Sequence, residues 1–334
     1  MPEITKLTHP WLIAVWPGMG HVAINAGVYL LSKLEMTGLA EFEGGDLFDV
    51  NQVEVIDGLI QPARRPRNRL FLWSDPHKRH DLILFIGEAQ PPIGKFPFCR
   101  QLIEYAKQLG VERVITFAAM ATNMRPEHPS RVFGAATDLE AVQELRNLDL
   151  TILKNGNIGG LNGVLLGAAA ACGLRGACLL GEMPQVFAQV PFPKASLAIL
   201  EVFSTMMGLE IELNELAEQA KAVEEQLGNL LHRVEEQYGP QPGVTEEEEE
   251  SKFSSAFDEE SKPEEEQSEK IGYRYEEPTE PVSPTAEQKI EELFARAATD
   301  RSKAFELKRE LDRLGLFKKY EDRFLDLFKK PNSE

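Results

Sequence analysis

Two glutamates and three glycine-bearing turns are the groups whose types and spacing suggest chemistry. Glu88 and Glu182 each follow a glycine at the end of an apolar run, in LFIGE and LLGE. Two carboxylates at one sheet edge do acid–base work or hold a divalent metal. They also cap helices or pair with a guanidinium, here Arg125 or Arg175, and that structural role is the one the residues favour. The turns are residues 17–20, 155–160 and 181–184. Two of them lead into helical patterns, and helix N-termini attract anions. A phosphate or carboxylate at Gly18, Gly20, Gly159 and Gly160 is the ligand such turns would take. The sequence PGMG is neither a dinucleotide fingerprint nor a P-loop, because no GK[ST] ending follows it. Glycines more often serve tight turns and close helix–sheet packing. Asn155 and Asn162, with Asn25 and Asn157, offer amides to a polar ligand or satisfy turn backbone. His21 stands where a general base would, yet no Ser or Cys nucleophile lies beside it in a recognisable motif, so a helix-start histidine is the simpler reading. The expected ligand set is therefore Gly18, Gly20, Glu88, Asn155, Gly159, Gly160, Asn162 and Glu182. No catalytic residue, metal site or cofactor is assigned.

The elements that must position these groups alternate. Continuous apolar runs of strand length occur at residues 11–16, 81–86, 111–118 and 176–180. Further strands are expected at 53–59, 70–73, 131–137 and 150–153. Helical spacing of apolar residues marks 21–33, 96–109, 138–145, the small-residue stretch after 156, and 194–207. Strands alternating with helices predict a three-layer α/β/α sandwich on a mostly parallel sheet. In such sheets ligands settle outside the carboxyl ends of the strands, which is where the three turns would converge.

From Leu213 the pattern changes. Leu216, Ala220, Val223, Leu227, Leu230 and Val234 alternate four and three residues apart. Such a seam is either a coiled coil between subunits or a long surface helix lying on its own domain, and a coiled coil needs more heptads than these. Residues 240–284 carry 15 acidic and 4 basic residues, and more than half of the net charge of -18 falls there. That composition predicts a disordered acidic linker. Its aromatic island, residues 271–275, is a docking motif or an incidental pair of tyrosines. Residues 285–330 return to helical stripes (Ile290, Leu293, Phe294; Leu307, Leu311, Leu314; Phe324, Leu327, Phe328) and predict a small helical bundle. A module this small is marginal alone, so it should dock on the main domain or on a protein partner.

The acidic balance argues against nucleic acid and against an anionic membrane surface. No apolar run reaches the roughly 18 residues of a spanning helix. The opening segment has no basic stretch or cleavage site of a secretory signal. Cys99, Cys172 and Cys178 are odd in number and show no CxxC spacing, so a disulfide framework or zinc site is not expected. A cytoplasmic protein is the simplest reading.

Three stretches carry a resemblance. They are VWPGMGHVAINAGVYLLSKL near the start, NGNIGGLNGVLLGAAAACGLRGACLLGEMP over residues 155–184, and PKASLAILEVFSTMMGLEIELNELAEQA over residues 193–220. Together they resemble the proteasome assembly chaperone 2 family over about residues 1–236, and the second stretch is the most specific. The resemblance implies a three-layer α/β fold similar to that of purine nucleoside phosphorylases, and a tendency to self-associate. It also implies assistance to proteasome ring assembly in some relatives, and it brings no established catalytic residues. Ring-docking members often end in a hydrophobic–tyrosine–any tripeptide, whereas the last residues here are Pro331-Asn332-Ser333-Glu334. Three units are expected: an α/β domain over 1–239, the linker over 240–284 and the bundle over 285–330. The expected function is a non-catalytic, homo-oligomeric, assembly-chaperone-like interaction protein. The alternative is an enzyme or sensor that binds a nucleotide-like or phosphorylated small molecule at the carboxyl edge of the sheet.

Overall fold

The computed structural model describes residues 7–44, 47–48, 53, 55–56, 58–62, 64–238 and 284–329. The acidic linker and its aromatic island lie outside the described residues. Strands are β1 (Trp11–Val15), β2 (Thr37–Glu41), β3 (Val55–Ile56), β4 (Leu59–Ile60), β5 (Asn68–Trp73), β6 (Leu82–Gly87), β7 (Arg113–Thr122), β8 (Val132–Ala136), β9 (Thr151–Ile152) and β10 (Arg175–Pro184). Helices are α1 (Val22–Lys33), α2 (Lys95–Gln108), α3 (Leu139–Asn147), α4 (Gly160–Ala171), α5 (Pro193–Met207), α6 (Asn214–Tyr238), α7 (Pro284–Thr299), α8 (Ala304–Arg313) and α9 (Phe317–Asp326).

One eight-stranded sheet runs in the order β2-β5-β6-β1-β7-β10-β8-β9. Its four inner strands, β6-β1-β7-β10, are mutually parallel. They are the apolar runs of the sequence, buried on both faces as parallel strands must be. Antiparallel pairing enters only toward the edges, at β2–β5, β5–β6 and β8–β10.

Two apolar layers flank the sheet. On one face Ile13, Val15, Leu84, Phe117 and Leu179 meet α1, α5 and α6. On the other, Leu12, Ala14, Phe85 and Leu180 meet α2 and α4. The alternation along β1 is the period-two signature of a strand between two layers.

Two expectations change in detail. Residues 53–59 are not one strand. Val55 pairs Ile60 and Ile56 pairs Leu59, antiparallel. Asp57-Gly58 is a strong hairpin signal, and Gly58 takes φ +78°. Strand β2 carried no apolar run, because it is an edge strand with an irregular register between Gly38 and Ala40.

The a/d seam of α6 faces inward. Leu216 and Leu227 are buried against the domain's own core and Ala220 is buried too, while Leu230 is 44% exposed. The terminal helices dock in the same way. Phe305 meets Tyr29 of α1 edge-on at 4.5 Å, and Phe328 meets Phe71 of β5 at 6.3 Å. The Gly38 amide of edge strand β2 donates to the Phe328 carbonyl at 2.6 Å. The module thus covers an open sheet edge, the usual hazard of an unpaired strand.

Acid should loosen this module from within. Glu310 accepts from Arg313 at 2.9 Å and pairs with Lys289 of α7 at 3.0 Å. The Arg313 bonds come first in holding its pKa down, from 4.5 to about 2, with burial opposing. A carboxyl lowered on folding contributes stability above its unfolded value and loses it on acidification. Burial raises the pKa of Glu321 in α9, with Lys318 opposing, so this neighbour works in the other direction. The urea midpoint of the wild type should therefore fall between pH of about 4.5 and about 2, and Glu310→Gln should flatten that fall. An unchanged slope in Glu310→Gln would remove Glu310 from the account.

Candidate functional site

The carboxyl ends of the inner strands do bring the glycine turns near one another, but the chain's own groups bind them. After β1 the backbone turns through Gly20 at φ +57° and His21 at φ +50°. The Gly20 amide donates to the Ala188 carbonyl at 2.7 Å, and the Phe192 amide donates to the Gly20 carbonyl at 2.9 Å. A Cβ on Gly20 would lie 2.7 Å from the Met183 thioether. The glycine is therefore needed for both the left-handed turn and the contact. Gly18 is exposed, with open space where a Cβ would stand.

The N-terminus of α4 is also occupied. Gln90, just after β6, accepts from the Leu161 amide through Oε1 at 3.0 Å. Its Nε2 lies 3.5 Å from the Pro17 carbonyl. One neutral amide thus ties the first glycine turn to the start of α4. Gly159 and Gly160 are half-buried, and a Cβ on Gly160 would meet Gln90 Oε1 at 2.9 Å. Asn155 and Asn157 are exposed on the loop before them. Asn162 is half-buried, and its carbonyl accepts from Thr116 Oγ1 at 3.4 Å. Gly163 explains the motif best. A Cβ there would stand 1.9 Å from the Ile158 carbonyl oxygen, so the loop can fold over the helix only if this residue is glycine. Gly163→Ala should cost about 1–3 kcal/mol through overpacking, read as a lower thermal midpoint. An unchanged midpoint would contradict the close approach.

The two glutamates are far apart and each is neutralised. They lie on strands separated by β1 and β7, so three inter-strand spacings put them on the order of 14 Å apart. That is too far for one acid–base pair. Glu88 is 9% exposed and faces the Arg69 guanidinium at 3.2 Å. It also accepts from the Arg67 amide at 2.9 Å. Its carbonyl accepts from Lys318 Nζ of α9 at 3.1 Å. Glu182 is 1% exposed and accepts from Arg131 at 2.6 and 2.7 Å and from Thr122 Oγ1 at 2.8 Å. Burial alone would raise its pKa, but the Arg131 and Thr122 bonds outweigh burial and hold it below the ordinary value. Arg125 and Arg175, named from sequence as partners, pair instead with Glu235 and with Asp138 and Glu140.

His21 lies beneath the terminal module. Burial first, and then the Lys308 ammonium, lower its pKa, with Asp312 opposing. Lys308 is itself 1% exposed and donates to Asn25 Oδ1 at 2.6 Å and Asp312 Oδ2 at 2.5 Å. Sequence reasoning missed Gln90, Arg69, Arg131 and Lys308. Each acts across a long stretch of chain, and no local pattern announces it.

An open cleft of about 500 Å³ lies at the opposite, amino edge of the strands. Its lining includes Trp11, His80, Glu112, Arg113, Glu144 and Arg175. Arg113 stacks over Trp11 at 4.5 Å and pairs with Glu144 at 2.6 Å. Burial pushes the Cys99 and Cys178 thiols up to about 12, far from a reactive thiolate. Among the described residues no group of three or more His, Cys, Asp or Glu side chains is placed to hold a metal. No described helix is long and apolar enough to cross a membrane.

Comparison with known proteins matches this fold. The chain is 27% identical over 237 residues to an uncharacterised protein of Methanocaldococcus jannaschii, covering 70% of this chain and 88% of that one. Among solved structures it resembles PbaB of Pyrococcus furiosus, described as an archaeal proteasome activator. That match has a TM-score of 0.59 and 25% identity, covering 68% of this chain and 96% of that one. It also resembles a PAC2 family protein of Streptomyces avermitilis, with a TM-score of 0.58 and 27% identity over 66% and 95% of the two chains. Pyrococcus furiosus PbaA, described as an archaeal homologue of proteasome-assembly chaperone, matches with a TM-score of 0.53 and 27% identity over 70% and 92%. The PAC2 family profile matches residues 12–231, which hold all three glycine turns and both glutamates, and the chain belongs to the PAC2 family.

Proposed function

We propose that this protein is an assembly-chaperone-like protein of the cytoplasm, working through protein surfaces rather than by catalysis and associating with itself. One observation carries the reading: the sheet edge where an α/β enzyme would hold its ligand is taken up by the chain's own groups. Gln90 sits on the α4 N-terminus, Arg69 and Arg131 neutralise the two glutamates, and Met183 fills the space beside Gly20. The same contacts weigh against the alternative of a phosphorylated or nucleotide-like ligand at Gly18, Gly20, Gly159 and Gly160. The descriptions of PbaA and PbaB support a proteasome-related partner for this chain.

Light scattering on the full chain, with crosslinking to purified proteasome α-subunits, tests the proposal. A defined oligomer or a crosslinked complex is expected. A monodisperse monomer that captures no subunit would sink it. Thermal-shift titration with nucleosides, nucleotides and phosphate tests the alternative, and a concentration-dependent rise in the midpoint would revive it.

A further inference from the structure

Gly87 ends the apolar run LFIG, and two polar side chains lean over it. At the carboxyl edge of the sheet the strands run β5-β6-β1. Asn68 of β5 pairs Gly87 of β6. Val15 of β1 stands beside Ile86, so Trp16, the next residue, falls beside Gly87. Asn68, Gly87 and Trp16 thus form one row across three neighbouring strands, with the glycine in the middle. A Cβ built on Gly87 would lie 2.4 Å from Trp16 Nε1 and 3.1 Å from Asn68 Oδ1.

Both outer side chains are sealed from solvent. Trp16 is 1% exposed and Asn68 2%. Phe85 packs on the indole at 5.2 Å, and buried Phe48 belongs to the same apolar layer. Among the described residues, neither the indole N–H nor the amide oxygen finds a hydrogen-bond partner. The first only donates and the second only accepts. Burying such a group without a partner costs more than an ordinary hydrogen bond contributes, and buried polar groups in folded proteins are nearly always paired. The shared Cβ point holds the two atoms to at most about 5.5 Å apart, the sum of their distances from it. A water molecule that accepts from N–H at about 2.9 Å and donates to oxygen at about 2.8 Å spans such a separation.

We propose that Trp16 Nε1–H and Asn68 Oδ1 bind one internal water molecule between them over Gly87. The water accepts from the indole and donates to the amide oxygen. It joins β1 to β5 across the strand between them, in place of the side chain that β6 lacks at this position. The pair calls for a small molecule that both donates and accepts. An anion would suit the N–H but repel the amide oxygen, and a cation would do the reverse. The inference rests on the reading of this sheet edge as closed by the chain's own groups, and adds bound solvent to them. Its test uses neither the oligomeric state nor a ligand titration.

A crystal structure of the full chain, at a resolution that orders internal water, tests the site directly. A density peak at roughly 2.7–3.2 Å from both atoms is expected. A direct bond between Nε1 and Oδ1, or a protein group standing in that place, would overturn the proposal. This measurement needs only the wild type, so it stands whether or not a variant folds. In solution, with isotope-labelled tryptophan, the Trp16 indole proton should show a rotating-frame Overhauser peak to water, and Trp16→Phe assigns that peak. Asn68→Leu removes the second anchor and should abolish the peak while circular dichroism stays native. No peak in the wild type, or a peak undiminished in a folded Asn68→Leu, would also overturn the proposal. Any of those failures would leave the light-scattering result, and the broader function, standing.

Discussion

Arg69→Met is expected to destabilise the protein by about 3–5 kcal/mol, the range for removing one member of a buried ion pair. Arg69 is 3% exposed and lies between Glu88 and Asp322. Burial lowers the pKa of its guanidinium, with Glu88 opposing. Without it, the Glu88 carboxylate stays buried with the Arg67 amide as its main donor. An uncompensated buried charge costs far more than the pair contributed. Asp322 fares better, since it keeps Arg64 and Arg67. The double variant Arg69→Met/Glu88→Leu should therefore recover much of the loss. Denaturant unfolding monitored by circular dichroism reads both. A loss below about 1 kcal/mol in Arg69→Met, the scale of an exposed pair, would mean that Glu88 does not depend on Arg69. Glu88 would then return to the list of groups available to a ligand.

That experiment bears on how much of the site the sequence could reveal. The four parallel strands were legible because both their faces are buried, which writes continuous apolar runs such as LILFI. The glycine turns were legible as turns, and the match to a known family was legible in GGLNG and LLGE. Partner identity was not. Arg125 or Arg175 is the partner the sequence suggests for Glu182, yet its partner is Arg131, the residue just before β8, which the antiparallel register of β8 with β10 brings alongside it. Register between strands distant in sequence decides such pairs, and no local spacing encodes it. The module was legible as helices but not as to where it docks. Its stripes show only that an apolar face needs a cover, whereas the complementary face is spread over α1, β2 and β5.

Phe305→Ala should open that contact. Phe305 is 2% exposed and stands edge-on to Tyr29. Truncating a buried phenylalanine costs about 3–5 kcal/mol, from lost transfer energy and the cavity left behind. An edge-to-face aromatic pair is lost with it, about 0.5–1.5 kcal/mol beyond burial and within the same measured range. The loss should not fall evenly on the molecule. β1, β6, β7 and β10 keep their pairing with one another. The energy comes out of module closure instead. Ser32 Oγ, which donates to the Arg301 carbonyl at 3.0 Å, and Lys308, held by Asn25, lie in the same seam and should let go with it. Hydrogen exchange should then show lost protection in α1 and α7–α9 while the inner strands remain protected. Uniform loss of protection across α1 and the inner strands would instead mean that module and sheet unfold as one unit, and that the module is a fixed part of the core.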